Sequence, residues 1–221
     1  MDTSDALLVA DLTGVAVFAV SGASAAIAKH LDAFGVVFVG FVAALGGGIF
    51  RDVMIDVVPP LAFSDWRYSA TAAAASMATF WFHPQIGRLA RWVLILDAAG
   101  LGLFTAAGTL KALDFGVPVV GAIILGMITG IGGGLLRDLL TAEIPLVLRR
   151  GNLYASAAIL GTSAYFLLVT VGARRAVATW IGMGIVASVR LASITWGLQL
   201  PVFALEGDGV PARRDRTSGP P

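Results

Sequence analysis

The chain has 221 residues, of which 57% are hydrophobic and 13% charged, and its formal net charge is +1. A soluble domain carries about 25% charged residues, so this composition excludes an ordinary water-soluble fold and indicates a membrane protein. The small net charge gives no sign of a nucleic-acid partner. The chain has no cysteine, which excludes disulfides and thiolate metal sites.

Seven apolar stretches approach or exceed the roughly 20 residues that a membrane-spanning helix needs. They are 6–28, 34–57, 68–83, 91–113, 117–141, 153–172 and 176–199. The third is short and rich in alanine. Asp2 and Asp5 stand where a cleaved signal would carry positive charge, so we expect the first helix to remain in the mature protein. The tail 201–221 is polar and is predicted to be disordered.

Lysine and arginine in the loops predict the orientation of the chain in the membrane. Seven spans place the two termini on opposite sides. The loops on the N-terminal side carry Arg67, Lys111, Arg174 and Arg175. The loops on the C-terminal side carry Lys29, Arg88, Arg91, Arg149, Arg150, Arg213, Arg214 and Arg216. The second group is richer in positive charge, so we expect a cytoplasmic C-terminus and an external N-terminus.

The chain matches itself when it is shifted by 86 residues. The matched pairs include Asp11 with Asp97, Arg51 with Arg137, Asp52 with Asp138, Pro59 with Pro145 and Tyr68 with Tyr154. Such polar matches indicate a duplication, with a first three-helix repeat at 6–83, a second at 91–172 and a seventh helix at 176–199 outside it. Because three is odd, the second copy enters the membrane from the opposite side. We therefore predict an all-α polytopic fold with two inverted repeats.

A glycine triplet followed two residues later by Arg-Asp lies late in the second and fifth spans. The glycines are Gly46, Gly47 and Gly48 in the first copy, and Gly132, Gly133 and Gly134 in the second. Each glycine costs about 1 kcal/mol in a helix interior relative to alanine, so three in a row predict a kink or an unwound turn. Close helix packing is the alternative explanation. The symmetric positions of the triplets lead us to favour a functional break.

Four charges follow the triplets: Arg51, Asp52, Arg137 and Asp138. Charges inside a membrane usually face a bundle interior or a pathway, although an arginine near a helix end also reaches the interface by snorkelling. Neighbours at i and i+1 do not face each other on a helix. We therefore expect the charges to pair between the copies, Arg51 with Asp138 and Arg137 with Asp52.

Other polar residues are secondary candidates for the pathway. Asp11 and Asp97 lie early in the first helix of each copy and either cap or pair with a neighbour or take part in a pore. Lys111 and Arg190 lie near helix ends, where snorkelling is expected. The candidate hydroxyls are Ser21, Ser24, Thr109 and Thr129. No nucleophile–base pair, phosphate loop or metal-ligand cluster is present, so we expect neither an enzyme nor a cofactor.

The two Gly-Gly-Gly-x-x-Arg-Asp motifs at 46–52 and 132–138, the proline after each and the 3+3+1 plan resemble the bacterial and archaeal branch of the trimeric intracellular cation channels. The resemblance covers about residues 8–200. It implies a potassium-permeable monovalent cation channel that forms a homotrimer among membrane lipids. It also implies one hourglass pore in each subunit, between the second and fifth spans, with the glycines as hinges and the four charges following them. We further expect an Arg–Asp pair to serve as a gate or constriction.

Animal members of that family carry a lysine-containing motif after the glycines that binds phosphoinositide lipid. This chain has Arg-Asp there, so phosphoinositide regulation is not implied and a bacterial inner membrane is expected rather than the endoplasmic reticulum. Two other functions stay open from the sequence: a secondary transporter of a small solute such as an amino acid, and a non-transporting structural or lipid-handling protein. Inverted repeats with interrupted helices serve channels and transporters alike.

Overall fold

The computed structural model describes residues 3–82, 89–149 and 153–196. In these ranges the chain forms eight helices and no strand. The helices are α1 (Thr3–Ala28), α2 (Ala33–Met54), α3 (Leu61–Ser64), α4 (Trp66–Phe82), α5 (Leu89–Asp114), α6 (Val119–Leu140), α7 (Tyr154–Thr170) and α8 (Arg175–Trp196). The all-helical prediction is confirmed. The tail 201–221, predicted to be disordered, lies outside the described residues.

Seven of the helices correspond to the predicted spans, and α3 is a four-residue helix just before α4. Among the described residues, α1, α2, α5, α6 and α8 contain segments long and apolar enough to cross a membrane, and α7 is a shorter apolar helix. Because α3 is an additional short helix, the fifth predicted span corresponds to α6. The chain is an integral membrane protein.

Short polar or glycine-containing turns set the helix ends. The Asp32 side chain caps α2 by accepting a hydrogen bond of 2.8 Å from the Gly35 amide. Gly116 and Gly172 have φ angles of 78° and 90° in the turns before α6 and α8. This left-handed backbone favours glycine because other residues have a Cβ that crowds it.

The outside of the bundle is apolar, and much of its inside is small or polar. Phe34, Trp66 and Trp196 are each more than three-quarters exposed. The buried positions are mostly alanine, glycine, serine and threonine, with several charged residues. Small residues allow helix backbones to approach closely in a membrane, where lipid surrounds the large apolar side chains.

Helices α1 and α2 have the same bounds as α5 and α6 after the 86-residue shift, and α7 begins and ends two residues later than the shifted α4. Their contacts are reciprocal. The rings of Phe18 and Phe104 stack with centroids 5.3 Å apart. A Cβ on Gly14 would lie 2.9 Å from Phe104, and one on Gly100 would lie 2.6 Å from Phe18. Each half thus presents the same surface to the other.

Ion pairs at the two ends of the bundle show the direction of the helices. At one end, Lys29 after α1 binds Glu143 after α6. At the other end, Lys111 near the end of α5 binds Asp52 near the end of α2, at 2.8 Å. Because α1 and α5 end at opposite ends of the bundle, these two corresponding helices run antiparallel.

The glycine triplets lie where α2 crosses α6. A Cβ on Gly47 would clash with the carbonyl oxygen of Thr129, and a Cβ on Gly133 would clash with that of Ala43, the matched residue. Both helices continue through their triplets without a break in helical structure. The expectation of an unwound turn is wrong, because the glycines serve the alternative role of backbone-to-backbone packing.

Replacing Gly47 with alanine should destabilise the protein, whereas the same change at Gly48 should not. The Gly47 methyl would overlap the Thr129 carbonyl, at a cost of about 1–3 kcal/mol. The nearest atom to a Gly48 methyl, among those outside its own helix backbone, is 3.9 Å away. Thermal unfolding in detergent, followed by tryptophan fluorescence, measures both. Equal melting temperatures for the two variants would contradict the close crossing.

Candidate functional site

A first charge cluster, formed by Asp11, Arg51, Asp52, Tyr68 and Lys111, lies at the end of the bundle where α2 and α5 end. Asp52 Oδ1 accepts hydrogen bonds of 2.8 Å from Arg51 Nε and from Lys111 Nζ. The Tyr68 hydroxyl donates to Asp11 Oδ2 at 2.8 Å. The second oxygen of Asp52 accepts from the Leu61 amide at 3.0 Å, which ties the loop before α3 to the cluster.

A second charge cluster, formed by Asp97, Arg137, Asp138, Tyr154 and Arg190, lies toward the opposite end. Arg137 donates through Nε to Asp138 Oδ1 and through Nη1 to Asp97 Oδ1, both at 2.8 Å. Arg190 from α8 approaches Asp97 Oδ2 at 3.4 Å and lies over the Tyr154 ring, 4.4 Å from its centroid. This is a cation–π contact.

The predicted pairing between the copies is wrong. Arg51 pairs with Asp52 and Arg137 with Asp138, each with the next residue in its own helix. The rule that adjacent residues do not face each other fails here because arginine has a long flexible stem, and its Nε reaches back to the neighbouring carboxylate. The pairs lie at opposite ends of the bundle, so neither aspartate meets the other copy's arginine.

The structure brings together several residues that the sequence treated separately. Asp11 joins the first cluster through Tyr68, and Asp97 joins the second through Arg137 and Arg190. The matched tyrosines, Tyr68 and Tyr154, had no predicted role. The match of these two tyrosines across the 86-residue shift could have indicated that they belong to the clusters. The Arg190 side chain is fully buried, so it does not snorkel to the interface. Lys111 donates a hydrogen bond to Asp52.

The four candidate hydroxyls are all buried. Ser21 accepts a hydrogen bond from Arg137 Nη1 at 2.7 Å. Thr109 and Thr129 donate to the carbonyls of Thr105 and Leu125 in their own helices. The Ser24 hydroxyl makes no hydrogen bond with the residues that the structure describes. No group of three or more potential metal ligands occurs in the part of the chain that the structure describes.

The two clusters differ in their access to solvent. The first borders a cavity of about 280 Å³ lined by Asp11, Arg51, Tyr68 and Lys111, among others. In the second, Asp97, Arg137 and Arg190 have no exposed side-chain surface. The glycines show the same contrast. A Cβ on Gly134 would lie 2.7 Å from Asp97, whereas the space beside Gly48 is open to 3.9 Å.

Outside the spans, a surface ion-pair group joins the loops beyond α1 and α6. The hydrogen bond from the Lys29 ammonium, supported by the charge of Arg149, holds the pKa of Glu143 below its ordinary value. A lowered carboxylate pKa stabilises the fold at neutral pH, and this contribution is lost as the pH falls through the folded-state value.

Residues 8–84 and 94–170 each match a family model described as "Glycine transporter". The chain belongs to this family. The two matched segments are offset by the same 86 residues as the internal repeat. The inner membrane protein YadS of Escherichia coli K12, a UPF0126 protein, is 40% identical over 204 residues, covering 90% of this chain and 97% of YadS. A UPF0126 membrane protein of Vibrio cholerae is 39% identical, covering 93% and 85%.

Similar solved structures are cation channels. The TRIC trimeric intracellular cation channel orthologue from Rhodobacter sphaeroides has a TM-score of 0.84 at 36% identity, with 87% of this chain and 99% of that chain covered. A prokaryotic TRIC channel crystallised in 0.5 M KCl has a TM-score of 0.82 at 28% identity, covering 90% and 100%. The resemblance to the prokaryotic trimeric intracellular cation channels is confirmed.

Removing the carboxylate of Asp97 should destabilise the protein far more than removing that of Asp11. Asp97→Asn leaves two buried guanidinium groups short of a counter-charge, which costs about 3–5 kcal/mol. Asp11 occupies the matched position and is partly exposed, and the Asp11→Asn variant keeps an oxygen that accepts from the Tyr68 hydroxyl. Thermal unfolding of the two variants in the same detergent measures the difference. Similar losses would contradict the structural role of the second cluster.

Proposed function

We propose that the chain is a monovalent cation channel that passes potassium. The likeness in fold and sequence to TRIC cation channels carries this proposal. Charged groups stand on both sides of the α2–α6 crossing, and a cavity opens to one of them, as a pathway through the bundle requires. By the same likeness, we infer a homotrimer in a bacterial inner membrane, with one pathway in each subunit.

The pathway passes between α2 and α6 in this proposal. The touching backbones at Gly47 and Gly133 then represent a closed state, and conduction requires these helices to separate. Of the six triplet glycines, Gly46, Gly47, Gly132 and Gly133 lie at the contact that opens, whereas Gly48 faces the first charge cluster and Gly134 the second. Arg51, Asp52, Arg137 and Asp138 line the two approaches rather than bridging across the gate. Lys111 belongs to the first approach.

The proposed topology has seven spanning helices, with α1, α2 and α4 as one unit and α5, α6 and α7 as its inverted copy. Reciprocal contacts, the equal bounds of α1 with α5 and of α2 with α6, and the antiparallel course of α1 and α5 support an axis of pseudo-symmetry in the membrane plane. We place the N-terminus outside and the C-terminus in the cytoplasm, from the loop charges. A C-terminal green fluorescent protein fusion, dark when exported, tests this orientation.

Transport of a small amino acid is a second candidate function, because the model that matches both halves of the chain is described as a glycine transporter. Fold alone does not decide between the two, since related scaffolds serve both purposes. A channel gives unitary current steps, whereas a transporter gives saturable uptake without them.

Purified protein in planar bilayers should give unitary currents in asymmetric KCl. For a cation-selective pore, a tenfold potassium gradient places the reversal potential near 59 mV in magnitude. Protein-free bilayers are the control. Saturable glycine uptake by proteoliposomes, with no unitary steps, would overturn the channel proposal in favour of the second candidate.

A cysteine at Thr129 should report on the pathway, since the chain has no cysteine of its own. Thr129 is buried, with its carbonyl oxygen at the α2–α6 crossing and its side chain against Gly108 of α5, so a cationic thiol reagent reaches it only when α6 moves away from its neighbours. We expect the reagent to block the potassium current of Thr129→Cys. Ile124→Cys, on the exposed face of the same helix, is the matched control and should be unaffected. Undiminished current after complete modification of Thr129→Cys would place the pathway elsewhere.

A further inference from the structure

The cavity beside the first charge cluster has the size of a small metabolite. Its volume is about 280 Å³. It falls just below the range of about 300–1,000 Å³ that is typical of sites for drug-sized ligands. Its polar lining residues are Asp11, Arg51, Tyr68, Lys111 and Asp114. Its apolar lining residues are Leu8, Ala107, Leu110 and Phe115.

Several hydrogen-bonding groups on this cavity are not used within the protein. Arg51 donates through Nε to Asp52, but its Nη1 and Nη2 atoms make no hydrogen bond with any described residue, although its side chain is only 4% exposed. Lys111 uses one of its three donors on Asp52. Asp11 accepts from Tyr68 through Oδ2, and its Oδ1 makes no hydrogen bond with any described residue. Donors for an anion and an acceptor for a cation therefore share one cavity.

The charges around the cavity balance. Arg51 and Lys111 offset Asp11 and Asp52, and the exposed Asp114 lies 3.9 Å from Arg175, so a ligand of either single sign adds an unbalanced charge to the site. A zwitterion adds none, and each of its ends makes a charge-assisted hydrogen bond. The second cluster has the same balance of charges but is sealed by Arg190 and Tyr154.

We infer that this cavity binds a small zwitterion of the α-amino acid class. The carboxylate is held by the Nη atoms of Arg51 and by Lys111, and the ammonium by Asp11. The aliphatic and aromatic walls leave room for a small side chain only. This inference deepens the second candidate function and rests on it for the transport that binding would serve.

Calorimetric titration of glycine into the full chain in lipid nanodiscs tests the site. We expect saturable binding of glycine. Methylamine and acetate, each with one of the two charges, should bind at least about tenfold more weakly, because each loses a charge-assisted hydrogen bond worth about 1.5–3 kcal/mol.

Two variants and a control locate the binding. Asp11→Asn should weaken glycine binding by about tenfold or more while keeping an acceptor for Tyr68. Ala107→Leu narrows the cavity without a change of charge and should also weaken it. Glu143→Gln removes a carboxylate at the opposite end of the bundle and should bind glycine as the unmodified protein does.

The outcomes separate this inference from the channel proposal. Absence of saturable glycine binding to folded protein, or equal affinity in Ala107→Leu and the unmodified chain, overturns the site. Unitary potassium currents from the same preparation would leave the channel proposal standing in that case. Glycine binding without currents supports the site and removes the channel.

Discussion

The backbone contact between α2 and α6 is the constraint on which the rest of the structure depends. A methyl group on Gly47 or Gly133 would enter the space of a carbonyl oxygen on the facing helix. Only glycine permits this approach. Because the contact is reciprocal, it holds the two halves in a single register. That register brings the stacked Phe18 and Phe104 together and sends the charges after each triplet to opposite ends of the bundle.

The structure also depends on how charged side chains are buried, and both clusters neutralise their charges in the same way. Each holds two cations and two carboxylates, so neither carries a net charge into the bundle. In each, the aspartate after the arginine also accepts a hydrogen bond from a loop amide, at Leu61 or Leu146. Removing water from charges is expensive unless their partners are close and complete. The clusters therefore tie the loops and helix ends to one arrangement.

Much of the fold could be predicted from the sequence because hydrophobic length and self-similarity are properties of the chain itself. Matched pairs such as Asp11 and Asp97 placed the helices of both halves. The pairing of Arg51 with Asp52 could not be predicted, since it depends on side-chain rotamers rather than on helical spacing. The burial of Arg190 was also missed, because α8 lies outside the repeat and offers no matched partner to indicate its neighbour. The glycine triplets were located correctly, but spacing alone does not separate a break from a close crossing.

Helix α8 has a consequence for the molecule as a whole. In the proposed topology, two antiparallel copies of one unit, taken alone, would look the same from either face of the membrane. Arg190 breaks that equivalence, because it covers Asp97 and Tyr154 at one end, whereas the described residues leave a cavity beside Lys111 at the other end. The one helix outside the repeat thus makes the two faces of the molecule different, which the two halves alone would not do.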